Sequence, residues 1–127
     1  MNKASKTVVE KLFKAFAEGN VDKILETVSL DSFWIYHGTQ VIPKTRFEGK
    51  KEVGVFFSNI LNYTEILHFE QKQYIVQDNM VVVLGNEHQR VKKSGKELKQ
   101  EWVQIYTIKN NLITRMEEFA ASEVLKQ

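Results

Sequence analysis

Between Glu97 and Phe119 the residues alternate with a period of two. Leu98, Trp102, Gln104, Tyr106 and Ile108 fall on one face of an extended chain, and Val103, Ile105 and Thr107 on the other. Lys109-Asn110-Asn111 turns the chain, and on the return Thr114, Met116 and Glu118 share a parity. Pairing Ile108 with Leu112 sets Trp102 opposite Glu118, Gln104 opposite Met116 and Tyr106 opposite Thr114. One face then carries rings, an amide and a carboxylate. A strand that only fills a core needs no such polar groups, so this pattern predicts the wall of a pocket.

The first half of the chain follows a different period. Val9, Leu12, Phe13 and Phe16 mark an amphipathic helix that stops near Gly19. Asn20 can cap a second, shorter helix carrying Ile24, Leu25 and Val28. Asp31 to Tyr36 reads as a short aromatic strand, and HGTQVIPKTRFEG as a long loop or irregular strand. Gly49 opens a third helix with Val53, Phe56, Phe57, Ile60 and Leu61 on one stripe. Strands follow over 65–77, 80–92, 97–109 and 112–121, separated by hairpin connectors. Helices followed by an antiparallel meander predict an α+β domain with its helices on one face of the sheet.

A two-residue turn at Asp78-Asn79 sets Ile75 opposite Val82, Val76 opposite Val81, Tyr74 opposite Val83 and Phe69 opposite His88. The next connector admits two registers. A three-residue loop at Ser94–Lys96 places His88 on the face of Trp102, and a two-residue turn places Glu87 there. The first gathers Tyr74, Val76, Val81, Val83, Val103 and Ile105 on the opposite face. So apolar a patch predicts a homodimer through that face.

Length changes the picture little: 127 residues suit a single domain over 1–127, with residues 1–5 frayed. The absence of cysteine excludes disulfides and thiol chemistry. A net charge of +2 does not argue for nucleic acid, and the lysines near 92–99 read as a solvated hairpin tip. The expectation is a cytoplasmic protein with no membrane span, since no stretch is apolar enough for a signal peptide or a bilayer crossing.

Four stretches together resemble the SnoaL-like, ketosteroid-isomerase-related proteins of the nuclear transport factor 2-like superfamily. They are FAEGNVDKILETVSLDSFWIYHG, FEGKKEVGVFFSNI, FEQKQYIVQDNMVVVLG and EWVQIYTIKNNLITRMEEF. The resemblance implies a cone-shaped, curved, mixed but mainly antiparallel sheet wrapped around three N-terminal helices, with a conical apolar pocket and dimers through the outer sheet face. It does not carry the steroid isomerase mechanism. The base position falls near Tyr36 or His37, the oxyanion tyrosine near Leu12 or Phe13, and the protonated aspartate near Gln104. The acidic residue that many relatives carry after the last aromatic is replaced by Ala120-Ala121-Ser122.

Within such a cone Glu118 is the leading catalytic candidate, because an apolar setting raises a carboxyl's pKa toward neutrality. His88 is the second, as a proton-transfer partner across Trp102. Trp34, Tyr36, His37, Phe57, Phe69, Trp102, Gln104 and Tyr106 are the expected ligand contacts, the last three pairing apolar area with polar handles. His68 reads as a surface residue. The three histidines show no metal-ligand spacing, so neither metal nor cofactor is expected. These features predict a protein that binds a small apolar molecule, either as a cofactor-free isomerase, cyclase or hydratase or as a carrier or sensor. A docking module with a filled cone is the remaining alternative.

Overall fold

The computed structural model describes residues 3–37 and 45–124. Its elements are α1 (Lys3–Ala17), α2 (Val21–Leu25), β1 (Val28–His37), β2 (Arg46–Glu48), α3 (Lys50–Tyr63), β3 (Thr64–Gln77), β4 (Met80–Val91), β5 (Glu97–Lys109) and β6 (Leu112–Val124). The six strands form one open sheet in the order β2-β1-β6-β5-β4-β3, parallel only between β1 and β6. Register shifts in the β1–β6, β3–β4 and β5–β6 ladders add the local twist that curves it. The α+β class, three helices and a curved mixed sheet, is as expected.

Local chemistry sets the boundaries. Helix α1 begins at Lys3, inside the stretch expected to fray, and residues 1 and 2 lie outside the described residues. It ends where Gly19 takes a φ of 67°, with Asn20 N–H donating to the Ala15 carbonyl and Gly19 N–H to that of Phe16. The Asn20 side chain then caps α2 by accepting from Lys23 N–H at 3.0 Å. Val28 starts β1 and is not part of α2. The Thr27 hydroxyl donates to the Ile24 carbonyl, and Ile113 N–H to the Thr27 carbonyl, so the chain is already extended against β6. Residues 46–48, expected as loop, form a short strand on β1, and the rest of that expected loop, 38–44 with Pro43, lies outside the described residues.

Three register expectations need correction. Ile75, Val76 and Tyr74 pair with Val82, Val81 and Val83 as expected, but a bulge between Gln71 and Gln73 sets Phe69 opposite Glu87 instead of His88. The Asn110-Asn111 turn, with both residues at positive φ, is flanked by Lys109 and Leu112, and a further shift follows at Thr107–Ile108. Gln104 therefore faces Glu118, Tyr106 faces Met116 and Trp102 faces Ala120. Between β4 and β5 the ladder closes at Arg90–Glu97, because Lys92 N–H leaves the hairpin and donates to the Tyr63 carbonyl at the end of α3. This register gives Glu87 to the inner face and turns His88 outward. It also carries Val81, Val83 and Tyr74 inward, so the predicted outer patch is wrong in composition. Val82, Leu84, Val103 and Ile105, cross-strand neighbours of one another, occupy that face.

The core lies between the inner sheet face and the helices. Trp102 is 2% exposed and packs in a three-ring cluster with Phe13 and Phe69, its centroid 6.1 and 5.2 Å from theirs. Its ring covers Gly85, the residue opposite on β4. Among the described residues no helix is long and apolar enough to cross a membrane. A Cβ at position 85 would stand 2.2 Å from the Glu70 carbonyl oxygen and 2.3 Å from the Trp102 ring. Gly85→Ala must therefore displace backbone or the central indole, and we expect a loss of about 3 kcal/mol or more in urea-unfolding stability. A loss within about 0.5 kcal/mol, the range of a neutral surface change, would show that the ring does not fix this crossing.

Candidate functional site

Seven elements, the helices α1 and α3 and the strands β1, β3, β4, β5 and β6, line one cavity of about 70 Å³, several times the ~10–15 Å³ that one water requires. Helix α1 supplies Leu12, Phe13 and Phe16, and α3 supplies Phe56, Phe57 and Ile60. Trp34 and Tyr36 come from β1. The Trp34 indole is fixed by donating to Ser32 Oγ at 2.8 Å, whose hydroxyl donates to the Ile113 carbonyl at 2.8 Å. Tyr36 stacks on Phe56 at 4.5 Å.

Against these apolar walls β5 and β6 set a polar chain. Tyr106 Oη donates to Gln104 Oε1 at 2.5 Å, and Gln104 Nε2 donates to Glu118 Oε1 at 2.7 Å. Each step is a consequence of parity: Gln104 and Tyr106 are two apart on one strand, and Glu118 is the direct cross-strand partner of Gln104. Glu118 is 4% exposed, and burial pushes its pKa from 4.5 up to about 8, with the Gln104 bond opposing and the nearby Glu87 adding to the rise. At neutral pH this carboxyl is mainly protonated. Its Oε2 has no hydrogen-bond partner among the described residues, and nor does the Tyr36 hydroxyl, which burial and Glu118 hold well above the usual phenol range. The site thus presents unused O–H groups to an apolar space.

A second polar group sits on the same wall. Glu87, partly buried, accepts from the amides of Gln100 and, at 3.4 Å, Gln89. Burial raises its pKa and the Gln100 bond pulls it back. Gln89 is 4% exposed, and its Oε1 has no donor.

Of the residues singled out from the sequence, Glu118, Trp34, Tyr36, Phe57, Phe69, Gln104 and Tyr106 line this cavity. Three others do not reach it. His88 points outward, 2.7 Å from Glu97. His37 is also on the outer face, 2.9 Å from Glu117 and stacked on Phe119, because Tyr36 takes the inward position beside it. Trp102 is consumed by packing, and its buried Nε1 is unpartnered. Sequence reasoning missed Gln89 and Gln100 and set Glu87 aside in favour of His88. The signal was available in Gly85: a glycine inside a strand marks close approach of another group, and only the register that sets it against Trp102 provides one. His68 is exposed beside Glu70. Among the described residues no group of three or more His, Cys, Asp or Glu is placed to hold a metal ion.

Helices closing a curved sheet over a lined cavity define the nuclear transport factor 2-like fold, and solved structures agree. An NTF2-like protein from Burkholderia xenovorans LB400 superposes with a TM-score of 0.84 at 21% identity, covering 94% of this chain and 91% of that one. A ketosteroid isomerase-like protein from Catenulispora acidiphila DSM 44928, in complex with trimethylamine, gives 0.74 at 11% identity over 87% and 82%. An M. tuberculosis LEH-like epoxide hydrolase gives 0.74 at 8% identity over 92% and 82%. At such identities the likeness is one of fold. No curated protein sequence matches the chain. The SnoaL-like domain family matches residues 9–116, and the chain belongs to that family.

The buried carboxyl has a measurable signature. A rise from 4.5 to about 8 corresponds to roughly 5 kcal/mol of preference for neutral Glu118 in the folded state. That stability is complete below pH 4.5, is lost as pH rises because the unfolded chain releases the proton first, and is gone above pH 8. Glu118→Gln keeps the shape and lacks the proton. The stability of the wild type relative to this variant should therefore fall steadily between these limits and level off above them. Parallel pH–stability curves from urea unfolding would count against a shifted Glu118.

Proposed function

We propose that the chain binds a small, largely apolar molecule in this cavity and acts on it as a cofactor-free acid–base enzyme of the isomerase, cyclase or hydratase kind. The observation that carries this reading is Glu118: a buried carboxyl whose Oε1 is held by an amide while its Oε2 is left without a partner in an apolar cavity. A neutral carboxyl so held is a hydrogen-bond donor to a ligand oxygen and a proton source near neutral pH. Trp34, Phe57 and Phe69 supply apolar contact, and Tyr36, Gln104 and Tyr106 orient the polar end. Glu87 takes the part of second proton-transfer group that His88 cannot fill. The family and the epoxide hydrolase with this fold support a ligand-binding or enzymatic role at that level.

The cavity's volume restricts the ligand to small molecules unless the aromatic walls move. Small alcohols, ketones and amines, titrated while the Leu12, Ile60 and Leu98 methyls that line the cavity are followed by NMR, test the reading directly. At least one class should saturate, with shifts confined to the cavity lining, and Glu118→Gln should alter the binding of oxygen-bearing compounds. If no probe perturbs those methyls, the cone is closed packing and the docking-module alternative takes precedence.

We also propose that the outer sheet face meets a second copy of the chain. Val82, Leu84, Val103 and Ile105 are only partly buried there, and Ile75 (48% exposed) and Phe119 (46%) extend the patch. Ile105→Arg sets a cation beside Glu117, its cross-strand neighbour, so the fold should tolerate it while the apolar contact is lost. In sedimentation velocity the wild type should run as a dimer and the variant as a monomer. A monomeric wild type at micromolar concentration would refute the assembly.

A further inference from the structure

Resting on the reading of the cavity as a binding site, we infer that its ligand is a small protonated amine, held by Glu87 and Gln89 among aromatic rings. Three independent features of the lining converge on this. First, among the described residues it is lined by two carboxyls, Glu87 and Glu118, and by no lysine, arginine or histidine. A cation can take Glu87 as its counter-ion here, whereas an anion finds no cationic side chain among these residues.

Second, the polar groups around Glu87 are short of donors. Gln89 Oε1 is buried without any, and an amide acceptor left so is destabilising. Rotating the amide does not help, because its nitrogen already serves Glu87 and the exchange would set oxygen against carboxylate. A ligand that brings N–H groups answers both the orphan and the carboxylate. An ether or ketone answers neither.

Third, most of the remaining wall is aromatic. Phe69 packs on Phe13 and Phe16 at centroid distances of 5.8 and 5.1 Å, Phe16 on Phe57 at 5.9 Å, and Phe56 on Phe57 and Tyr36 at 5.2 and 4.5 Å. Rings attract a cation through their quadrupole and bury its alkyl groups at the same time, an arrangement that suits alkylammonium ions. The volume of about 70 Å³ sets the scale at a few heavy atoms.

The test compares two probes of matched shape on the intact protein. Isopropylammonium chloride and 2-propanol are titrated at pH 7, each against a background of constant chloride, with the cavity methyls and binding heat as readouts. The ammonium ion should bind at least about tenfold more tightly than the alcohol. Glu87→Gln should remove that preference. If the alcohol binds equally well or better, the cation assignment is wrong while the cavity stands as a binding site. If neither probe binds, both readings fail. Because the wild type alone discriminates between the probes, the outcome does not depend on the variant folding.

Discussion

Trp102 lying across Gly85 is the contact on which the site depends. The indole fills the space that any side chain at 85 would need, and Phe13 and Phe69 pack nearly parallel to it. Large side chain against none is a complementary fit that a slip of one residue would destroy, since it would drive the ring into Leu84 or Asn86. The same contact sets the parity of β4 relative to β5. Parity in turn decides that Glu87 and Gln89 face inward and that His88 spends its ring on Glu97 outside.

On the other side of β5 the logic is cooperative hydrogen bonding in a dry place. Tyr106, Gln104 and Glu118 form a directed chain in which every donor has one acceptor, and it ends on a carboxyl that keeps its proton because burial outweighs the single amide bond. The β5 strand therefore carries two polar centres on one face, at Gln104 and at Gln100, with Trp102 between them as structural spacer. One centre ends on a carboxyl that keeps its proton, and the other holds a Gln89 amide oxygen without a donor. That asymmetry is what a ligand with both a polar and an apolar part can exploit.

The sequence made the fold and half of this site legible, for identifiable reasons. Helix stripes and hairpin connectors were strong enough to locate nearly every element. Glu118, Gln104 and Tyr106 could be put on one wall even though the assumed pairing was two residues out, because a shift of two preserves facing. The assignment failed where the error was odd. The residues of the β4–β5 connector do not announce its register, which accompanies two tertiary contacts, Trp102 across Gly85 and Lys92 N–H on the Tyr63 carbonyl. The bulge between Gln71 and Gln73 moved Phe69 past His88 for a similar reason. Local turn chemistry determines a hairpin only when nothing else competes for its backbone.

Uncompensated polar groups are a cost that a purely structural core avoids. Here a carboxyl forced neutral, a buried amide oxygen without a donor and a buried indole N–H without an acceptor lie within one small domain. Replacing them by apolar residues of similar volume would raise stability by removing desolvation that nothing offsets. Two of the three, Glu118 and Gln89, line the same cavity, and the third belongs to the ring that fixes its register. Defects scattered by chance would not gather around one space. A ligand that binds only the folded state and satisfies these groups returns their cost as binding energy, so the instability of the site and its affinity are two expressions of one free energy.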